Sequence, residues 1–141
     1  MGDWSLAQRR ALRGGIAVMA VTPALVGIWA TISPRGFYDD FPGLGHAWVS
    51  AVGAYDEHLV RDVGALYLGS LVLLALAWVW LDRRLVQAAL ISYAVAAVPH
   101  LVYHCTALEN FSTGDAIAEI AGLALNVILP LGLLRVAGRS G

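Results

Sequence analysis

The chain has 141 residues, of which 59% are hydrophobic and 13% are charged, and this composition is too apolar for an ordinary water-soluble domain. Its net charge of −1 argues against a nucleic-acid partner, and the absence of lysine excludes a lysine Schiff base or a lysine nucleophile. Cys105 is the only cysteine, which excludes an intrachain disulfide and a paired-cysteine redox mechanism.

Four apolar runs dominate the sequence, and each has close to the roughly 20 residues that a helix needs to cross the hydrocarbon of a bilayer. They occupy residues 14–32, 63–81, 85–103 and 116–134. The first run is longer than the apolar core of a signal peptide, so we interpret it as a retained span. The sequence therefore predicts an all-α protein, a single integral membrane four-helix bundle over residues 1–141 with no separate soluble domain.

Arginine is distributed unevenly between the two sets of predicted helix ends. One set carries seven arginines, and the other carries only Arg35 and Arg61. The seven are Arg9, Arg10, Arg13, Arg83, Arg84, Arg135 and Arg139. Because arginine in short loops resists translocation, the richer set marks the cytoplasmic side. The expected protein is thus a multi-pass protein of the cell membrane with both termini in the cytoplasm.

The outer connection between the first two spans, residues 33–54, is aromatic rather than plainly hydrophilic. Its apolar side chains include Phe37, Tyr38, Phe41, Leu44 and Trp48. One proline and two glycines within 42–45 prevent a continuous helix, so a short helix is expected only near Leu44–Val52. Aromatic residues suit the headgroup layer of a membrane, which favours a surface anchor. The alternative interpretation is a lid over a site between the helices.

All four histidines and eight of the ten acidic residues fall at the outer helix ends in this arrangement. His100 and His104 are four residues apart and share one face of the third span, a spacing that suits two ligands of one metal ion. Glu119 lies inside the fourth span, where a carboxylate needs a donor, a cation or its own proton. His100 lies at a comparable depth, so we expect His100 and Glu119 to pair and regard both as candidate catalytic residues.

A metal site is one interpretation of this cluster. Its ligands would be His58, His100, His104 and Glu119. Three further residues would support them, namely Asp62, Asp115 and Asn126. Asp62 follows His58 by four residues and would hold its imidazole in one tautomer. Asp115 and Asn126 extend the polar stripe of Glu119 along the fourth span, and Asp115 also completes a capping box.

A divalent metal ion is favoured over haem as the cofactor. Bis-histidine haem would need His58 to face His100 or His104 across the bundle. Covalent haem is excluded because the sequence has no Cys-x-x-Cys-His motif.

The segment RDVGALYLGSLVLLALA, residues 61–77, follows a long outer connection and precedes a short arginine turn. In these features the chain resembles small four-helix bacterial membrane proteins of actinobacterial type, and its layout is similar to that of the DoxX-like group. The resemblance implies the four-span plan. It implies no catalytic residues.

Three functions remain open at this point. The first is binding of a metal or a lipophilic ligand at the outer His/carboxylate cluster. The second is a membrane enzyme that uses His/Glu acid–base or metal chemistry on a lipophilic substrate. The third is a structural accessory subunit, in which most of these polar residues only serve packing or the interface. Expected partners are membrane lipid and a homo-oligomer or larger membrane complex, with no nucleic acid.

Overall fold

The computed structural model describes residues 4–138 of the chain. Its elements, in chain order, are helices α1 (Leu6–Ile32) and α2 (Pro34–Asp40), strands β1 (Pro42–Gly43) and β2 (His46–Ala47), helices α3 (Trp48–Val52), α4 (Glu57–Trp80) and α5 (Arg83–Thr106), a 3₁₀ turn (Leu108–Asn110) and helix α6 (Thr113–Gly138). Apart from the two short strands the described chain is all-α, as predicted. Arg139, counted among the cytoplasmic arginines, lies outside the described residues.

Polar caps set where the long helices begin. Ser5 and Gln8 form a capping box at the start of α1, in which Ser5 Oγ accepts from the Gln8 amide and Gln8 Oε1 accepts from the Ser5 amide. Asp56 and Asp82 each accept from the amide three residues later, at the starts of α4 and α5. Ser112 does the same ahead of α6. These caps satisfy amides that a helix end leaves unpaired.

The four long helices run alternately up and down, so the first and last described residues lie at the same end of the bundle. The Trp4 indole donates to the Ala137 carbonyl at 3.2 Å, and Arg83 Nε donates to the same oxygen at 3.1 Å. We call this the termini end. The opposite end carries residues 33–54 and the α5–α6 turn, and we call it the capped end. This arrangement agrees with the expected up-and-down topology, whereas the side of a membrane on which each end lies stays a prediction.

Packing is tightest at the termini end. The side chains buried there include Leu12, Ile16, Leu74, Val86 and Leu90. Nearer the capped end, α1 and α4 approach closely at Gly64, where an added Cβ would lie 2.6 Å from Thr31 Oγ1 and 2.9 Å from the Thr31 amide nitrogen. Small residues permit such close approach between apolar helices.

The outward surface of the bundle is apolar. Large hydrophobic side chains are exposed on every long helix, among them Val21, Leu66, Val95 and Ile128. Each of the four helices is long and apolar enough to cross a membrane, with mean hydropathy between 1.7 and 2.0 over the best window. These helices overlap the four predicted spans, and their lengths and apolar surfaces fit a small multi-pass membrane protein.

Residues 33–54 are more ordered than the expected connection with one short helix. The short helix is observed at Trp48–Val52, and a second one, Pro34–Asp40, precedes it. The sequence analysis did not predict this second helix, although proline is well suited to the first position of a helix, which Pro34 occupies here. Between the two helices, Gly43, Leu44 and Gly45 form a turn with positive φ angles of 103°, 59° and 87°.

Candidate functional site

A cavity of about 590 Å³ lies at the capped end of the bundle. Its walls come from all four long helices, and its roof comes from α2 and α3. The lining is largely apolar, but α5 and α6 contribute a polar side. Three of the residues singled out in the sequence, His100, His104 and Glu119, meet in this lining.

Glu119 projects from α6 into the cavity, and its side chain is only 5% exposed. One of its carboxyl oxygens, Oε1, lies 2.9 Å from His104 Nδ1. The other, Oε2, is buried and has no hydrogen-bond partner among residues 4–138. A buried polar atom without a partner is uncommon in proteins, and it distinguishes this carboxyl group from the paired acidic residues at the same end of the bundle.

His104, rather than His100, is the neighbour of Glu119, which differs from the expected pair. Its side chain is 10% exposed. The expectation compared the depths of backbone positions, but side chains lean toward the N-terminus of their own helix. In the antiparallel pair α5 and α6, this lean carries the imidazole deeper and the carboxyl toward the capped end, so His104 and Glu119 meet. The two atoms are close, although their orientation does not satisfy hydrogen-bond geometry.

His100 lies one turn deeper on α5 and faces a side opening of the cavity. Its ring is 4.7 Å from the ring of His104, centroid to centroid. It also lines a second cavity of about 280 Å³, whose walls include Leu66 and Ser70 of α4 and Ala96 of α5. The two cavities share several wall residues, so together they form a crevice between α4 and α5.

The four proposed metal ligands are not brought together. His58 lies in the first turn of α4, where its Nε2 is 3.4 Å from Asp62 Oδ2, and its side chain is 88% exposed. Val60 and Gly64 are the buried positions of this part of α4, so a residue two places before Val60 faces outward. Within residues 4–138, no group of three or more His, Cys, Asp or Glu side chains is arranged to hold a metal ion.

Asp115 joins the roof of the cavity to the start of α6. Its Oδ1 accepts from the Trp48 indole at 2.9 Å and lies 2.6 Å from His46 Nδ1. Ser112 Oγ accepts from the Asp115 amide and donates to Oδ2, which is the predicted capping interaction. The sequence interpretation missed His46 and Trp48 as its partners, because nothing in the local sequence fixes the path of residues 33–54.

Asn126 lies at the deep end of the cavity. Its Oδ1 accepts from the Tyr93 hydroxyl at 2.6 Å, and its Nδ2 donates to the Gly122 carbonyl at 2.9 Å. Tyr93 was not singled out in the sequence. The available signal was an amide inside an apolar helix, which requires a polar partner on a neighbouring helix.

The roof is an aromatic cluster rather than a loose surface loop. The rings of Phe37 and Phe41 are 4.9 Å apart, and both make edge contacts with Trp29 of α1 at about 6 Å. Trp48 contacts Phe41 at 6.4 Å. Because three of these rings also line the cavity, residues 33–54 have the position of a lid, the interpretation that the sequence favoured less.

Comparisons with known proteins do not show a family. No family model matches the chain, and no solved structure matches it significantly. A stretch of 107 residues is 33% identical to part of the genome polyprotein of Langat virus (strain Yelantsev) and covers 73% of this chain. The chain spans 13% of the length of that polyprotein, so the likeness assigns no activity to it. The resemblance to DoxX-like proteins stays an expectation.

Proposed function

We propose that this protein binds a lipophilic ligand in the cavity at the capped end, from the outer leaflet of the cell membrane. The observation that carries the proposal is the Glu119 carboxyl group, which belongs to a residue of the cavity lining and has a buried oxygen, Oε2, without a partner among the described residues. Leaving a buried polar group unsatisfied costs about 1–3 kcal/mol. A purely structural role for Glu119 offers nothing to offset that cost, whereas a ligand with a polar head does.

The size and lining of the cavity fit this function. Binding sites for small molecules are usually about 300–1,000 Å³ in volume, and they combine apolar walls with a few polar groups that fix orientation. The cavity of about 590 Å³ has this character, with Glu119, His104 and Asn126 grouped on the side formed by α5 and α6.

The crevice between α4 and α5 gives such a ligand a route from the bilayer. Leu66 and Ala96 lie on its two walls, and both are exposed at the outer surface of the bundle. In a membrane, this surface faces lipid. A molecule dissolved in the hydrocarbon can therefore reach His100, and then Glu119, without passing through water.

Two glycines of α6 provide a matched test. Gly122 lines the cavity, Gly132 does not, and a Cβ at either position would meet no atom within 4 Å. We expect Gly122→Leu to weaken binding of Nile red to the protein in lipid nanodiscs by about tenfold or more, because the new side chain occupies the cavity. Gly132→Leu should bind as the parent does. If fluorescence titration gives the same affinity for Nile red in the two variants, the proposal is contradicted.

The expected sidedness has its own test. We expect a reporter fused after Arg84 or after Arg139 to be cytoplasmic, and one inserted near Gly45 to be exterior, because arginine-rich ends stay inside. Paired alkaline phosphatase and green fluorescent protein fusions measure this. An exterior reporter after Arg139 would reverse the assignment and place the cavity at the inner leaflet.

A second candidate function is a membrane enzyme that transfers a proton to or from a lipophilic substrate. The 2.9 Å contact between His104 Nδ1 and Glu119 Oε1 favours it, since a histidine beside a carboxyl group is a common acid–base arrangement. Chemical conversion of a bound ligand, abolished by His104→Gln while Nile red still binds, would distinguish the enzyme from the binding protein.

A further inference from the structure

We infer that the ligand is a lipophilic organic cation, a positively charged head on an apolar body, and that its binding releases one proton from the His104–Glu119 pair. This inference rests on the proposed function, because it concerns the same cavity. It adds the charge of the ligand and a coupling between ligand and proton.

The charges that face the cavity are negative. Its 22 lining residues include two acidic residues, Asp56 and Glu119, and two histidines, His100 and His104, but no arginine, and the chain has no lysine. The two arginines at the capped end already have acidic partners. Arg35 lies 2.7 Å from Asp39, and Arg61 lies 2.9 Å from Glu57. A cationic ligand therefore meets opposite charge without having to displace a basic side chain of the protein.

The walls supply a second attraction for a cation. Six lining residues are aromatic, namely Phe37, Tyr38, Phe41, Trp48, Tyr67 and Tyr103. The faces of aromatic rings carry partial negative charge and attract cations, most strongly where water is excluded. The rings at this end of the bundle already hold one cation, because the Arg35 guanidinium lies 5.6 Å from the ring of Tyr38 and 4.9 Å from that of Tyr55.

Proton release follows from the 2.9 Å separation of His104 Nδ1 and Glu119 Oε1. At that distance one of the two atoms carries a hydrogen. If the hydrogen is on Nδ1 of a neutral imidazole, Glu119 is ionised and the pair has one negative charge, whereas a protonated carboxyl group beside a neutral imidazole makes the pair neutral. Burial favours the neutral pair, because it penalises a charged carboxyl group that no cation faces. A bound cation beside the protonated pair would bury one uncompensated positive charge, which is costly in a site of low polarity. If the shared proton leaves, the ionised carboxyl group and the ligand together are again neutral.

The balance is then simple. The protonated protein and the cation give the cation complex and one free proton, with no change in covalent bonds. The cation would lie against the Glu119 carboxyl group, whose Oε2 has no other partner among the described residues.

Other titratable groups around the cavity are consistent with this balance. From α5, His100 faces the site and makes no ion pair within residues 4–138, so it can stay neutral beside a bound cation. From α4 come the Asp56 carboxylate and the Tyr67 hydroxyl, and from α2 comes Tyr38. Tyr103 of α5 also lines the cavity, and Asp115 of α6 lies outside the lining, against His46. α1 contributes no titratable group to the lining.

The test uses two ions of the same shape and opposite charge, tetraphenylphosphonium and tetraphenylborate. The full chain is held in lipid nanodiscs, and binding is the difference from empty nanodiscs and from the Gly122→Leu variant. We expect the phosphonium to bind about tenfold or more tightly than the borate at this site. Calorimetry in two buffers of different ionisation enthalpy should show release of about one proton per bound phosphonium.

Glu119→Gln keeps the shape of the side chain and removes its charge. We expect this variant to lose both the preference for phosphonium and the proton release. Glu109→Gln is the matched control, because Glu109 is an exposed carboxylate of the 3₁₀ turn that does not line the cavity, and it should behave as the parent.

The outcomes separate the two proposals. If Nile red is insensitive to Gly122→Leu, the binding function itself is wrong. The binding function stands, and the cation inference is wrong, if Nile red occupies the cavity and any one of three results is found. The borate binds as well as the phosphonium, or no proton is released, or Glu119→Gln changes neither the preference between the two ions nor the proton release.

Discussion

The two ends of the bundle are built on different principles. At the termini end, side chains such as Leu12, Leu74 and Leu90 are almost completely buried and pack between the helices. At the capped end, the same four helices surround a cavity of about 590 Å³ with a buried carboxyl group that has an unpartnered oxygen. Stability is thus concentrated at one end. The other end keeps a buried polar atom without a partner among the described residues, which supports the proposed binding function.

The largest effect is expected from a cavity made at the termini end. Leu90→Ala should lower the free energy of unfolding by about 2–5 kcal/mol, because a fully buried leucine leaves an unfilled space. Thermal unfolding in detergent measures the change. At a temperature where the variant is folded, its affinity for Nile red should match that of the parent. A variant that loses binding but not stability would show that the two ends are not separate in function.

At the capped end, substitution is expected to raise the free energy of unfolding rather than lower it. Replacing both members of the buried pair, with His104→Phe and Glu119→Leu together, should raise the free energy of unfolding by about 1–4 kcal/mol. The reason is that well-packed apolar residues often stabilise a protein more than a buried pair of ionisable groups does. The same variant should no longer prefer the phosphonium. Glu119→Leu alone leaves the imidazole unpartnered and should be less stable than the double variant. A double variant that unfolds more easily than the parent would make this pair structural.

A smaller effect is expected where the roof meets α6. Asp115→Ala removes the acceptor of the Trp48 indole and the partner of His46, and hydrogen bonds to a charged group contribute about 1.5–3 kcal/mol. The loss should be local, so limited proteolysis of residues 33–54 should become faster while the global unfolding temperature changes little. Asp40→Ala, at an exposed site of α2, is the control. Equal cleavage of the two variants would mean that Asp115 does not hold the roof.

The sequence predicted the architecture better than the site, for physical reasons. Long apolar runs and capping motifs are local signals, so the four long helices and the cap at the start of α6 could be identified. The site depends on which side chains meet across helices. His104, not His100, is the neighbour of Glu119, because side chains lean toward the N-terminus of their own helix. In two antiparallel helices this lean displaces the imidazole and the carboxyl group in opposite directions, so the residues that meet differ by one turn.

Two further differences have the same origin. His58 stays outside the cavity because its face of α4 is set by the packing of Val60 and Gly64, not by its own chemistry. Helix α2 was missed because a serine followed by a proline is compatible both with the end of one helix and with the start of another. In each case the local pattern allowed two answers, and contacts between distant parts of the chain selected one.

One oxygen atom at the termini end also limits how the cavity can open. The Ala137 carbonyl accepts hydrogen bonds from both Trp4 and Arg83, so it fixes α6 to the start of the chain and to the turn that joins α4 and α5. A slide of α6 by one helical turn, about 5.4 Å, would break both bonds at once. Tilting keeps them. A rearrangement that opens the cavity without breaking these two bonds therefore has to leave the termini end in place and move the helices at the capped end.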